Sequence, residues 1–231
     1  MKTIGLIGGM SWESSAEYYR IINQAVSRRL GAPHSAQILM YSIDFAELEV
    51  LQRTGRWDEA GQMMADAAQR LERGGADFIL ICANTMHKSI EPMQAVVHIP
   101  ILHIVDPTAR AIHAQNIQKV GLLGTRYTME ETFYTARLAQ QFGLDVLIAG
   151  ADDRSLVHRV IFDELVAGII NPASREGYRK VIQNLVQQGA EGIIFGCTEI
   201  CLLINAEDSP MPVFDTTLLH AMAAVDEALK D

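Results

Sequence analysis

Short, wholly apolar runs alternate along this chain with longer stretches whose apolar positions recur every three to four residues. The first kind of run suits strands buried on both faces, and the second suits helices with one buried face. Read in order, the pattern predicts a strand from Lys2 to Ile7, a helix over about 14–29, a strand from Gln37 to Tyr41, and helices over Phe45–Arg53 and Trp57–Arg73. Next come a strand over Phe78–Cys82, a helix to about Val96, a strand over Ile101–Val105 and a helix opening at Asp106-Pro107-Thr108. The order begins again with a strand at Val120-Gly-Leu-Leu-Gly, then a strand over Val146–Ala149, helices over about 155–166 and 173–188, the apolar run into Cys197, a strand over Pro212–Asp215 and a last helix to Leu229. Strand and helix in alternation predict parallel sheets joined by crossover helices.

The second half repeats the first. Gly75-Ala-Asp-Phe-Ile-Leu-Ile matches Gly189-Ala-Glu-Gly-Ile-Ile-Phe at an offset of 114, which sets Ala83 opposite Cys197 and Asn84 opposite Thr198. Ile4-Gly-Leu-Ile-Gly returns as Val120-Gly-Leu-Leu-Gly at an offset of 116, and Pro100-Ile-Leu returns as Pro212-Val-Phe at 112. Offsets that shrink in chain order are those of one duplicated unit with small deletions. No linker or low-complexity segment separates the halves.

Composition narrows the function classes. The 231 residues are 49% hydrophobic, enough for a sizeable core, and carry a net charge of -9 with no cluster of Lys and Arg, which argues against nucleic acid as a partner. No apolar run approaches the roughly 20 residues that cross a bilayer, so no membrane partner is expected. Three cysteines, an odd number, speak against a disulfide framework and for a reduced, cytoplasmic protein. Cys and His fall in no metal-ligand spacing.

Two features carry chemistry. Gly8-Gly9-Met10-Ser11 joins the first strand to its helix, and free backbone N–H groups at such a helix start suit a carboxylate or small anion; the glycine spacing is not that of a dinucleotide site. Cys197, between Gly196 and a predicted helix start, sits where a helix dipole favours thiolate, while Glu199 opposes it by like charge. Two copies of a unit presenting strand ends to one ligand supply groups on both of its faces, as inversion of a carbon centre requires. Cys82 points away from Ala83, because neighbouring strand residues face opposite sides, and is read as a small buried hydrophobe. Cys201 is read as helix packing. His87 admits a Cys-His hydrolase reading with Cys197 as nucleophile, beside the plainer one of a helix-start histidine satisfied by hydrogen bonds.

The segments Gly8-Gly-Met-Ser-Trp-Glu-Ser14, Ala83-Asn-Thr-Met-His87 and Gly196-Cys-Thr-Glu199, on a duplicated α/β chain, resemble the aspartate/glutamate racemases over essentially the whole length. The resemblance implies two pseudo-symmetric lobes, each with a short, mostly parallel sheet flanked by helices, with the active site in the inter-lobe cleft. The lobes would be 1–104 plus 212–231, and 105–211. It further implies racemisation of L- and D-aspartate or glutamate without pyridoxal phosphate, other cofactor or metal, by a homodimer. Cys197 would be one acid/base and position 83 the other. Asn84, Thr85 and Thr198 would hold the α-amino and α-carboxylate groups, the Met10 turn would give backbone donors, and Gln52 stands near an arginine that many relatives use for the distal carboxylate. Relatives carry cysteine or threonine where this chain has Ala83, and some carry a lysine near Val166 or Ala167 that is absent here. Two alternatives stand beside an impaired racemase: a single-cysteine, decarboxylase-like member of the superfamily, and a catalytically silent amino-acid binder.

Overall fold

A computed structural model describes residues 1–230. The elements in order are β1 (Ile4–Gly8), α1 (Trp12–Leu30), β2 (Ile38–Ser42), α2 (Phe45–Arg53), α3 (Trp57–Arg73), β3 (Phe78–Ile81), α4 (Ile90–Gln94), β4 (Ile101–Leu102) and α5 (Val105–His113). They continue as β5 (Lys119–Gly124), α6 (Arg126–Glu130), α7 (Thr132–Phe142), β6 (Asp145–Ile148), α8 (Ala151–Asp163), α9 (Pro172–Gln187), β7 (Gly192–Gly196), α10 (Ile200–Leu203), β8 (Val213–Asp215) and α11 (Thr216–Ala228). Short 3₁₀ turns cover Thr85–Ser89, Leu165–Ala167 and Ala206–Asp208.

Two four-stranded sheets result, in orders β2-β1-β3-β4 and β6-β5-β7-β8, and every strand pair in both is parallel. The duplication extends to register. Gly5 pairs with Ile79 and Ile79 with Ile101 in the first sheet, as Gly121 pairs with Ile193 and Ile193 with Val213 in the second. These are the partners that the offsets of 116, 114 and 112 require. Contacts divide the described residues into Met1–Ile104 together with 220–230, and Val105–Leu219. Strand β8 hydrogen-bonds to β7, so residues 212–219 belong with the second sheet, and the chain returns to the first unit eight residues later than the boundary at 212 would have it.

The repeated Gly-Ala-acid segment has a local cause. Gly75 and Gly189 both have positive φ, 94° and 98°, which glycine alone adopts freely, and each ends a helix. The Ala76 and Ala190 N–H groups then close back on the Leu71 and Leu185 carbonyls, both at 3.0 Å. The acid that follows ties the helix end to the neighbouring strand. Asp77 Oδ2 accepts from the Thr3 N–H at 2.6 Å, and Glu191 Oε2 accepts from the N–H groups of Gln118 and Lys119 at 2.8 and 3.0 Å. Those two bonds hold the Glu191 carboxyl below the usual carboxylate range.

In the first unit the sheet is covered on both faces. Ile4, Leu6, Phe78, Leu80 and Cys82 pack with Tyr18, Ile22 and Val26 of α1 and with Ala221, Ala224 and Val225 of α11. Ile7, Ile79, Ile81 and Ala83 point the other way, against Ala60, Met64, Ala67, Ala68 and Leu71 of α3. Cys82 and Ala83 therefore lie on opposite faces of the sheet, as strand alternation dictates. Cys82 is wholly buried, and burial pushes its thiol far up.

His220 anchors α11 to this unit. Its Nε2–H donates to the Leu102 carbonyl at 2.9 Å, and the Tyr18 hydroxyl donates to its Nδ1 at 2.9 Å. Burial, with His87 nearby, lowers its pKa to about 3. The folded pKa lies below the unfolded value, so His220 costs nothing above pH 6.5. Below that, the unfolded chain takes up a proton that the folded chain refuses, down to about pH 3. The unfolding free energy is expected to fall by roughly 2 kcal/mol between pH 7 and pH 5 from this residue. Urea titrations of the parent chain and of His220→Gln check it: the variant is expected to show a shallower loss over that interval, and equal slopes would contradict the assignment.

Candidate active site

Residues of the first unit gather around the tip of β3. Met10, Leu51, Ala83 and Met86 share one buried cluster, and the Gln52 amide, 5% exposed, donates to the Met86 sulfur at 3.1 Å. Asn84 and Thr85 follow Ala83 and are both buried. The predicted helix after β3 is in fact a 3₁₀ turn over Thr85–Ser89 running into the short α4, which keeps residues 83–87 tightly wound. Gly9 has φ 92°, and a Cβ there would lie 2.1 Å from the Ile43 carbonyl oxygen, so the close approach of two loops requires glycine. The turn is less open to an anion than the sequence suggests, because the Gly9 N–H is taken by Ser15 Oγ at 2.8 Å. Ser15 in turn donates to the Ser11 carbonyl.

In the second unit, Cys197 and Thr198 lie just beyond the tip of β7. Gly196 is needed for strand packing: an added Cβ would meet Leu122 Cδ1 at 2.8 Å and the Leu123 carbonyl oxygen at 2.9 Å. The thiol of Cys197 donates to Glu199 Oε2 at 2.9 Å, and the Thr198 hydroxyl donates to the same oxygen at 2.8 Å. Helix α10 is only four residues long and begins three residues after Cys197, too short and too distant to favour thiolate. Instead, burial pushes the Cys197 thiol well above its ordinary value, and the Glu199 charge and hydrogen bond push it the same way. The expected thiolate is thus a buried thiol paired with a buried carboxylate. Tyr178 lies close enough to Cys197, Glu164 and Glu199 for their charges to add to the effect of burial in raising its hydroxyl pKa, and that hydroxyl donates to the Val157 carbonyl at 3.1 Å. Nothing in the sequence distinguishes Tyr178 from an ordinary core aromatic of α9.

Cys201 is exposed on α10 and does not pack as predicted. His87 is not a free base. Its Nδ1 lies 2.9 Å from the Ala83 carbonyl oxygen, and its Nε2 accepts the Ile104 N–H at 3.1 Å. Among the described residues, no three of His, Cys, Asp and Glu are grouped to hold a metal ion, and no helix is long and apolar enough to cross a membrane.

The Cys197–Glu199 pair predicts how one variant should react. Glu199→Gln removes the charge that raises the thiol pKa, so alkylation of Cys197 by iodoacetamide at neutral pH is expected to rise about threefold to tenfold, measured in a Cys201→Ser background. An unchanged alkylation rate would mean that the Glu199 charge does not hold the thiol pKa up.

The paired parallel sheets are the architecture of the aspartate and glutamate racemases. The pattern of the Asp/Glu/hydantoin racemase family runs over residues 7–224, and the chain belongs to that family. Among its relatives is the broad specificity amino-acid racemase RacX of Bacillus subtilis, 25% identical over 98% of each chain. A crystal structure from Yersinia pestis, assigned provisionally as an Asp/Glu racemase, is 53% identical with a TM-score of 0.93 and covers 100% of both chains. An aspartate racemase homologue from Pyrococcus horikoshii is 33% identical with a TM-score of 0.83, again over 100% of both.

Proposed function

We propose that the chain is a racemase of aspartate or glutamate, working without pyridoxal phosphate, in which Cys197 acts on one face of Cα and position 83 is the place of the group for the other. The observation that carries this is the Cys197–Glu199 hydrogen bond at the position equivalent, under the duplication, to Ala83. The raised thiol is a poor base alone. Handing its proton to Glu199 within that 2.9 Å contact makes the thiolate at the moment it removes the α-hydrogen. Asn84, Thr85 and Thr198 are the hydrogen-bonding groups for the α-amino and α-carboxylate groups, with the Met10 turn beside them. Gln52 offers the distal carboxylate a neutral amide in place of a cation, so selectivity for acidic amino acids should be weak. The protein is read as cytoplasmic and homodimeric; the exposed Met40 and Tyr41 on β2, which pairs with β1 alone, suit a second copy.

One observation favours a second reading. Ala83 offers only a methyl group, and Cys197 is held as a thiol, which suits a one-face proton donor to an enolate formed by decarboxylation. Offering L-aspartate, L-glutamate and an aryl-substituted malonate in parallel separates the two. Deuterium gained at Cα or D-enantiomer formed from the amino acids supports the racemase; carbon dioxide released from the malonate alone would replace it. Melting shifts with the amino acids and no turnover of any of the three would leave a silent binder.

A further inference from the structure

The ladder between β3 and β4 consists of two pairs, Ile79 with Ile101 and Leu80 with Leu102, and goes no further. Beyond it, the imidazole of His87, 1% exposed, spans the two strand ends. A backbone N–H only donates and a backbone carbonyl only accepts, so the Ile104 contact requires a bare Nε2 and the Ala83 contact requires a protonated Nδ1. His87 is therefore a neutral ring fixed in one tautomer.

A second layer holds that ring in place. The His220 ring meets it edge-on, with centroids 5.7 Å apart, and His220 is itself fixed by the Leu102 carbonyl and the Tyr18 hydroxyl. His103 lies tilted against the His87 ring, with centroids 4.7 Å apart. The second unit has no counterpart, since the offset of 114 places the exposed Cys201 opposite His87.

Resting on the racemase reading, we propose that His87 is a positioning residue for the half of the reaction that belongs to position 83. It holds the carbonyl of residue 83, and through that peptide plane the direction of the side chain at 83 and of the Asn84–Thr85 segment. It neither gives nor takes a proton from substrate.

The test uses bond-selective replacements in the Ala83→Cys chain, where position 83 has a group to aim. The Asn amide nitrogen takes the place of Nδ1 and keeps the bond to residue 83; the Gln amide reaches the place of Nε2 and keeps only the bond to Ile104. His87→Gln and His87→Phe are expected to lose about 10- to 100-fold in kcat for inversion with little change in KM, as misaimed groups do. His87→Asn should lose least, whatever the order of the melting temperatures. Rates that follow melting temperature instead of the bond retained would overturn the proposal. ¹⁵N spectra of the histidine-labelled parent chain give a readout independent of turnover: a pyrrole-like Nδ1 and a pyridine-like Nε2 are expected at His87, and the opposite tautomer would also overturn it. If the Ala83→Cys chain neither inverts nor exchanges its substrate, the racemase reading falls and takes with it any part for His87 in turnover, while the spectra still report the tautomer.

Discussion

Ala83→Cys is expected to raise inversion of L-aspartate and L-glutamate by about 10²- to 10⁴-fold, the usual worth of a positioned acid or base. The expectation follows from the duplication. Ala83 and Cys197 occupy equivalent places beyond equivalent strands, in the same register within their sheets. Ala83 is 9% exposed and lies in the cluster that holds Met10 and Met86. One added sulfur at this position asks for little space and leaves the bond from His87 to the residue 83 carbonyl in place. Ala83→Thr should act in the same direction with a smaller gain, because a hydroxyl is a far weaker acid than a thiol. Chiral chromatography of the product reads the rate, and melting shifts with L-aspartate should be nearly unchanged between parent and variant. A parent chain that inverts as fast as Ala83→Cys would remove position 83 from the mechanism. His87 is then no replacement, since both of its ring nitrogens are engaged.

The second large effect belongs to Cys197. Cys197→Ala is expected to abolish inversion in the Ala83→Cys chain and hydrogen exchange in the parent, a loss of about 10² to 10⁴ or more. Stability should suffer far less, by about 1 kcal/mol for one small buried group. Glu199 Oε2 keeps the Thr198 hydroxyl as a partner when the thiol is gone, so the carboxylate is not stranded. Turnover lost without loss of cooperative unfolding or of ligand melting shifts is the expected combination. A Cys197→Ala chain that still exchanges the α-hydrogen at the parental rate would place the base elsewhere.

Much of this arrangement is legible in the sequence because it is written twice. Helices α2 and α3 have the bounds that apolar periodicity predicts. The offsets carry over into strand register, since a parallel sheet buried on both faces tolerates no slip. The opposite facing of Cys82 and Ala83 needs only strand alternation. What pattern reading misses depends on partners distant in the chain or on length. Periodicity shows a helix after β3 but cannot tell a 3₁₀ turn from an α-helix over five residues. A motif that ends at Cys-Thr-Glu suggests a helix dipole, but α10 starts at Ile200 and stops after a single turn, and burial then decides the state of the thiol. The roles of Asp77 and Glu191 as ties from helix end to neighbouring strand, and the fixed tautomer of His87, come from backbone groups that carry no sequence signal.

In the proposed reaction Cys197 works one face of Cα while Ala83 leaves the other without a proton donor. Incubating the unaltered chain with L-aspartate or L-glutamate in deuterium oxide, and measuring both deuterium at Cα and the enantiomer that carries it, tests this most directly. The predicted result is slow deuterium incorporation retained in the L enantiomer, abolished by Cys197→Ala, with only a trace of D product. Deuterium appearing in the D enantiomer as fast as it appears in the L would contradict it.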